Sequence, residues 1–88
     1  MTKILISAMN GIIGYELIKH LKKKYFVIAI DNEENGIAKK IANRFIVSPK
    51  GNTRKFIKFI EKISNEVDLM FFYVDEELLN ISNNLKNK

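Results

Sequence analysis

Lys3-Ile4-Leu5-Ile6-Ser7-Ala8-Met9-Asn10-Gly11-Ile12-Ile13-Gly14 is the stretch that decides the fold. Lys3 to Ala8 is a near-continuous apolar run rich in branched side chains, the pattern of a strand covered on both faces. It runs directly into a turn containing Gly11 and Gly14, and Leu17 and Leu21 then continue at helical spacing from Ile13. Glu16, Lys19, Lys22 and Lys23 fall on the opposite side, so the helix predicted up to about Lys24 is amphipathic. A second apolar strand, Phe26 to Ile30, closes at Asp31, which completes a strand–helix–strand unit.

Beyond that unit the alternation continues. Asp31 to Glu34 opens a short second helix, predicted from about Glu33 to Asn43 with Ile37, Ala38, Ile41 and Ala42 inward. Phe45 to Ser48 is a brief third strand, halted by Pro49, which has no amide hydrogen for a ladder. Asn52 or Thr53 can cap a third helix whose inward stripe is Phe56, Ile57, Ile60 and Ile63. Val67 to Val74 is a fourth strand, and Asp75-Glu76-Glu77 begins a fourth helix with Leu78, Leu79, Ser82 and Leu85.

Strands alternating with helices imply an α/β fold, and right-handed crossovers make the sheet parallel. The expectation is an open four-stranded Rossmann-like sheet of order 3-2-1-4 with helices on both faces, a partial fold. Its switch point lies between the first and fourth strands, where open α/β sheets keep ligand crevices. At 88 residues the chain is one domain, too short for a complete dinucleotide fold or for two lobes around a cleft.

Composition removes several function classes. There is no cysteine, hence no disulfide framework or thiolate metal site, and the one histidine, His20, has no triad partner near it in sequence. The net charge of +5 comes from lysines spread over the helices, with a single run at Lys22 to Lys24. It does not form the aromatic-interleaved basic stripe of a nucleic-acid site. No stretch approaches the ~20 apolar residues that span a bilayer, so a cytoplasmic protein without membrane or nucleic-acid partners is expected. No catalytic residue and no metal ligand is indicated.

Two groups of candidate site residues remain, each with a structural reading beside the functional one. Asn10, Gly11 and Gly14 can cradle a phosphate at a helix N-terminus, or simply allow helix and strand to pack closely. Asp31, twenty positions after Gly11, can accept a ribose hydroxyl, or cap its helix together with Glu34 as a D-x-x-E box. Asp75, Glu76 and Glu77 can hold the ammonium group of an amine or amino-acid substrate, or stabilise their own helix N-terminus.

The glycine turn from Ser7 to Gly14 resembles both the T-G-x-x-G-x-I-G turn of short-chain dehydrogenases and epimerases and the S-G-x-x-G-x-x-G turn of ATP-grasp ligases. Ala8 stands where both families place their first glycine. Later features resemble the ATP-grasp group of the carbamoyl-phosphate-synthase large-subunit type. Asp31 ends the second strand, Val47-Ser48-Pro49-Lys50-Gly51 matches V-x-P-K-G, and Val74-Asp75-Glu76-Glu77-Leu78 matches V-D-E-E-L.

This resemblance covers nearly the whole chain and implies a pre-ATP-grasp domain over residues 1–88, without the catalytic lobes. It implies an N-terminal structural and substrate-side lobe of a carboxylate–amine ligase, inactive alone. It implies that ATP and magnesium belong to the parent enzyme and that this chain holds neither. The alternatives are the truncated front of an NAD(P)-dependent epimerase or reductase, contacting cofactor through Gly11, Gly14 and Asp31, and a stand-alone interaction module. The segment Leu69 to Val74 is predicted to be a bare apolar sheet edge, covered by the parent's remaining lobes or by a second copy of the chain.

Overall fold

The computed structural model describes residues 1–7, 12–72 and 75–84. Strand β1 (Lys3–Ser7) leads to helix α1 (Ile12–Leu21), β2 (Phe26–Asp31), α2 (Ala38–Ile41) and β3 (Arg44–Val47). Helix α3 (Arg54–Ile63), a 3₁₀ turn (Ser64–Glu66), β4 (Leu69–Phe71) and α4 (Asp75–Asn84) follow. The four strands form one parallel sheet in the order β3-β2-β1-β4, as the alternation predicts. In register, Leu5 lies beside Ile28 on one side and Met70 on the other, and Asp31 lies beside Val47.

Strand alternation divides the core in two. Ile4, Ile6, Val27 and Ala29 face Ile18 of α1 and Ala38 of α2, whereas Leu5, Ile28 and Ile30 face α3. All four residues of the α3 stripe, Phe56, Ile57, Ile60 and Ile63, are buried as the spacing requires. Phe72 meets Phe56 edge-on with ring centroids 6.2 Å apart. Helix α3 starts where Thr53 accepts a hydrogen bond from the Phe56 amide at 3.2 Å, which settles the choice between Asn52 and Thr53 as cap.

Several boundaries differ from the sequence expectation. Helix α1 stops at Leu21, and Lys22 to Lys24 form a closing turn in which the Tyr25 amide returns to the Leu21 carbonyl at 3.0 Å. The second helix begins at Ala38 instead of Glu33, so the Asp31–Glu34 capping box does not form. The Asp31 carboxylate instead accepts from the Glu33 amide at 3.1 Å, and Glu34 pairs with Lys39 across the Asn35-Gly36 bend. β3 is shifted one residue earlier, to Arg44–Val47.

β4 is confined to Leu69–Phe71, because the 3₁₀ turn at Ser64–Glu66 consumes the chain just before it. Tyr73 and Val74, the predicted end of that strand, lie outside the described residues. Leu69 and Phe71 remain exposed on β4, which forms one end of the sheet with β1 on its single paired side. Among the described residues no helix is long and apolar enough to cross a membrane.

The phase of α4 runs against simple hydropathy. Leu78 and Leu79, apolar though they are, stand 46% and 63% exposed, and Leu85 lies outside the described residues. The inward positions are Glu77, only 7% exposed, and Ile81, which packs on the α3 side of the core.

Candidate functional site

The C-terminal end of the sheet carries the polar interior. Among the described residues the buried polar side chains are Ser7, Ser48 and Glu77, and all three sit at this end. Ser7 is the last residue of β1 and Glu77 lies in the first turn of α4. The Ser7 hydroxyl donates to Glu77 Oε1 at 2.6 Å, across seventy positions of sequence.

Beside this pair the β3–α3 loop is held from both ends. The Ser48 amide donates to the Asp31 carbonyl at 2.8 Å, continuing the β2–β3 ladder one residue past β3, and Pro49 then ends pairing. The Thr53 hydroxyl donates to the Lys50 carbonyl at 2.7 Å. From α4, the Asn80 side-chain amide donates to the carbonyls of Gly51 and Thr53 at 2.9 and 2.8 Å. Asn80 is in turn contacted by Asn84, whose amide donates to Asn80 Oδ1 at 2.8 Å.

Gly51 is required here for room. A β-carbon on it would overlap Cγ of Glu77 and stand 3.3 Å from Cδ. The loop backbone therefore seats directly on the glutamate side chain.

A cleft of about 210 Å³ opens between these elements. Asp31 and Asn32 line it from the end of β2, Pro49 to Asn52 from the loop, and Glu76 and Glu77 from α4. A larger, open depression of about 650 Å³ lies along Glu34 to Lys40, but its side chains are solvated and no buried polar group points there, so the smaller cleft is the better candidate.

Electrostatics single out Glu77. Burial away from water pushes its carboxyl above the ordinary glutamate range, the Ser7 hydrogen bond opposes that, and the Asp31 and Glu76 carboxylates add to the rise. Among the described residues no group of three acidic or histidine side chains is arranged to hold a metal ion.

The sequence-predicted residues are thus distributed unevenly. Asp31, Glu76 and Glu77 meet at one cleft, Glu76 as an exposed wall and Glu77 as a buried anchor. Asp75 opens α4. Gly14 is buried within α1, and Asn10 and Gly11 lie outside the described residues. Sequence reasoning passed over Ser7, Gly51 and Asn80 as parts of the cluster. Ser7 carried a local signal, a hydroxyl closing an otherwise apolar strand, and Gly51 stands in the Pro49-Lys50-Gly51 motif, whereas Asn80 acts through contacts made in three dimensions.

Fold and cleft together define an open Rossmann-like α/β domain with its polar crevice at the strand C-termini. Among solved structures, the crystal structure of N5-carboxyaminoimidazole ribonucleotide synthetase from Thermotoga maritima is similar to it, with a TM-score of 0.73 and 22% sequence identity. The match covers 99% of this chain and 23% of that chain, so the chain spans about a quarter of the synthetase's length. At this identity the likeness is one of fold. No protein-family model matches the chain, and no curated protein matches it.

Proposed function

We propose that this chain is the N-terminal, pre-ATP-grasp lobe of an ATP-dependent ligase of the carbamoyl-phosphate-synthase-like group, one that joins a carboxylate to an amine. The observation that carries the reading is the make-up of the cleft. Two of its three lining segments, Pro49-Lys50-Gly51 and Glu76-Glu77, are ones that resemble that group, far apart in sequence and adjacent in space. The likeness to a synthetase about four times longer supports a docking lobe rather than a self-sufficient enzyme.

In this reading the chain forms one side of a substrate pocket. Glu76 presents a carboxylate to an amine, and Lys50 offers a cation to an acidic group on the same ligand. ATP and magnesium are held by the parent's other lobes, which supply the acyl-phosphate chemistry. Those lobes cover the β4 edge and the exposed Leu78 and Leu79 of α4, surfaces that in the isolated chain are free to pair with a second copy.

The test has two arms. The coding sequence past Lys88 is expected to continue for about two hundred residues, one or two further domains, with a glycine-rich loop and paired acidic magnesium ligands. Titration of the 88-residue chain with NAD(H), NADP(H) and ATP is expected to give no binding. Dinucleotide binding that is lost on Asp31→Ala would overturn the ligase reading in favour of an epimerase or reductase.

A further inference from the structure

The Ser7–Glu77 contact ties together elements that the chain connects only through the whole fold. It joins the end of the central strand to the first turn of the last helix, and the glutamate at its centre is a buried residue whose carboxyl borders the cleft. Ionising such a group costs free energy, because one hydroxyl cannot replace a hydration shell.

The surroundings of Glu77 make ionisation harder. Asp31 faces it from β2 and Glu76 from the same turn of α4, with Asp75 preceding them in sequence. Lys50, on the loop, lines the same cleft and is the one cation there among the described residues. On the loop side the Gly51 backbone lies directly against the glutamate, so the side chain has room to move only toward the cleft.

We propose that Ser7, Gly51 and Glu77 form a protonation-sensitive latch on the cleft. With Glu77 neutral the latch is closed and the first turn of α4 sits on β1 and on the β3–α3 loop. When Glu77 ionises, the Ser7 hydroxyl holds the carboxylate more firmly, but repulsion from Asp31 and Glu76 together with the pull of hydration outweighs that one bond, lifts the turn and widens the cleft between Glu76 and Lys50. The balance is a single proton leaving the carboxyl for solvent. The latch does not depend on the ligase reading, because it is a property of this chain's own packing.

Amide hydrogen exchange of the 88-residue chain, measured between about pH 5 and about pH 8 and corrected for the intrinsic exchange rate, tests it. Protection of Leu78 to Asn84 is expected to fall with rising pH, at most about tenfold for each unit by which the folded carboxyl exceeds its unfolded value. Protection in α3 should stay level. Glu77→Gln keeps an oxygen for Ser7 but cannot ionise, so its α4 protection should hold at the low-pH level throughout. Constant α4 protection in the wild type, or the same fall in Glu77→Gln, overturns the latch. Should that variant fail to fold, the carboxyl-carbon titration of Glu77 in the wild type decides: a midpoint that does not coincide with the loss of α4 protection overturns it equally.

Discussion

Gly51 and Glu77 share one volume: the place where residue 51 would carry a β-carbon is filled by the glutamate's own methylene. The β3–α3 loop and the start of α4 therefore approach to backbone-on-side-chain distance, and the cleft beside them takes its shape from that approach.

Substituting Gly51→Ala forces either the loop or α4 outward. A loss of about 1–3 kcal/mol is expected from urea unfolding, the range for overpacking a closed site. Combining it with Glu77→Ala, which empties the contested space, should recover part of that loss. Strict additivity of the two single changes would refute the shared volume.

Ser7→Ala removes the hydrogen bond that favours the ionised form of Glu77. Because that bond opposes the effect of burial, its loss should move the Glu77 carboxyl further upward. The direction for stability follows. A carboxyl raised in the folded state contributes most below its unfolded value, about 4.3, and that contribution is lost as pH rises through the folded value. The variant should therefore lose stability relative to wild type at neutral pH, by about 1–3 kcal/mol. Chemical denaturation across pH, with carboxyl-carbon NMR of Glu77, checks both parts.

Asn80 bridges two loop carbonyls from the middle of α4. Asn80→Ala leaves both without their side-chain donor and should cost about 1–3 kcal/mol. Asn80→Leu, apolar and of similar size, should not restore it. Equal stability of wild type and Asn80→Ala in urea would show that water replaces the amide freely.

The uncovered β4 edge predicts concentration-dependent self-association of the isolated chain. Phe71→Lys places a charge at that edge, the usual protection against strand pairing. Sedimentation should show dimers for the wild type at high micromolar concentration and monomers for Phe71→Lys. A wild-type chain that stays monomeric would exclude pairing through β4.

In the α3 lobe of this fold, structure follows the amino-acid order closely. Phe56, Ile57, Ile60 and Ile63 recur at helical spacing, Thr53 stands one residue ahead of the first turn, and both features reappear intact. The strand order is equally legible, since four apolar runs separated by helices leave few right-handed arrangements. Asp31, by contrast, has two local partners open to it in the sequence, a capping box with Glu34 or the amide two residues on. The Asn35-Gly36 bend delays the helix, and the carboxylate takes the nearer amide of Glu33.

Helix α4 shows where local reading ends. Hydropathy assigns Leu78 and Leu79 to the interior, yet the helix is turned so that a glutamate enters and the leucines face out. Its phase is set by Ser7, seventy residues away, by the room that Gly51 leaves and by the Asn80 bridge to the loop. Periodicity and turn chemistry, acting over a few residues, dictate which segments are strands and helices and that they stack as a parallel layer. The assembled sheet alone decides which carboxylate is buried and where the cleft lies, because those depend on contacts between segments that are neighbours only after folding.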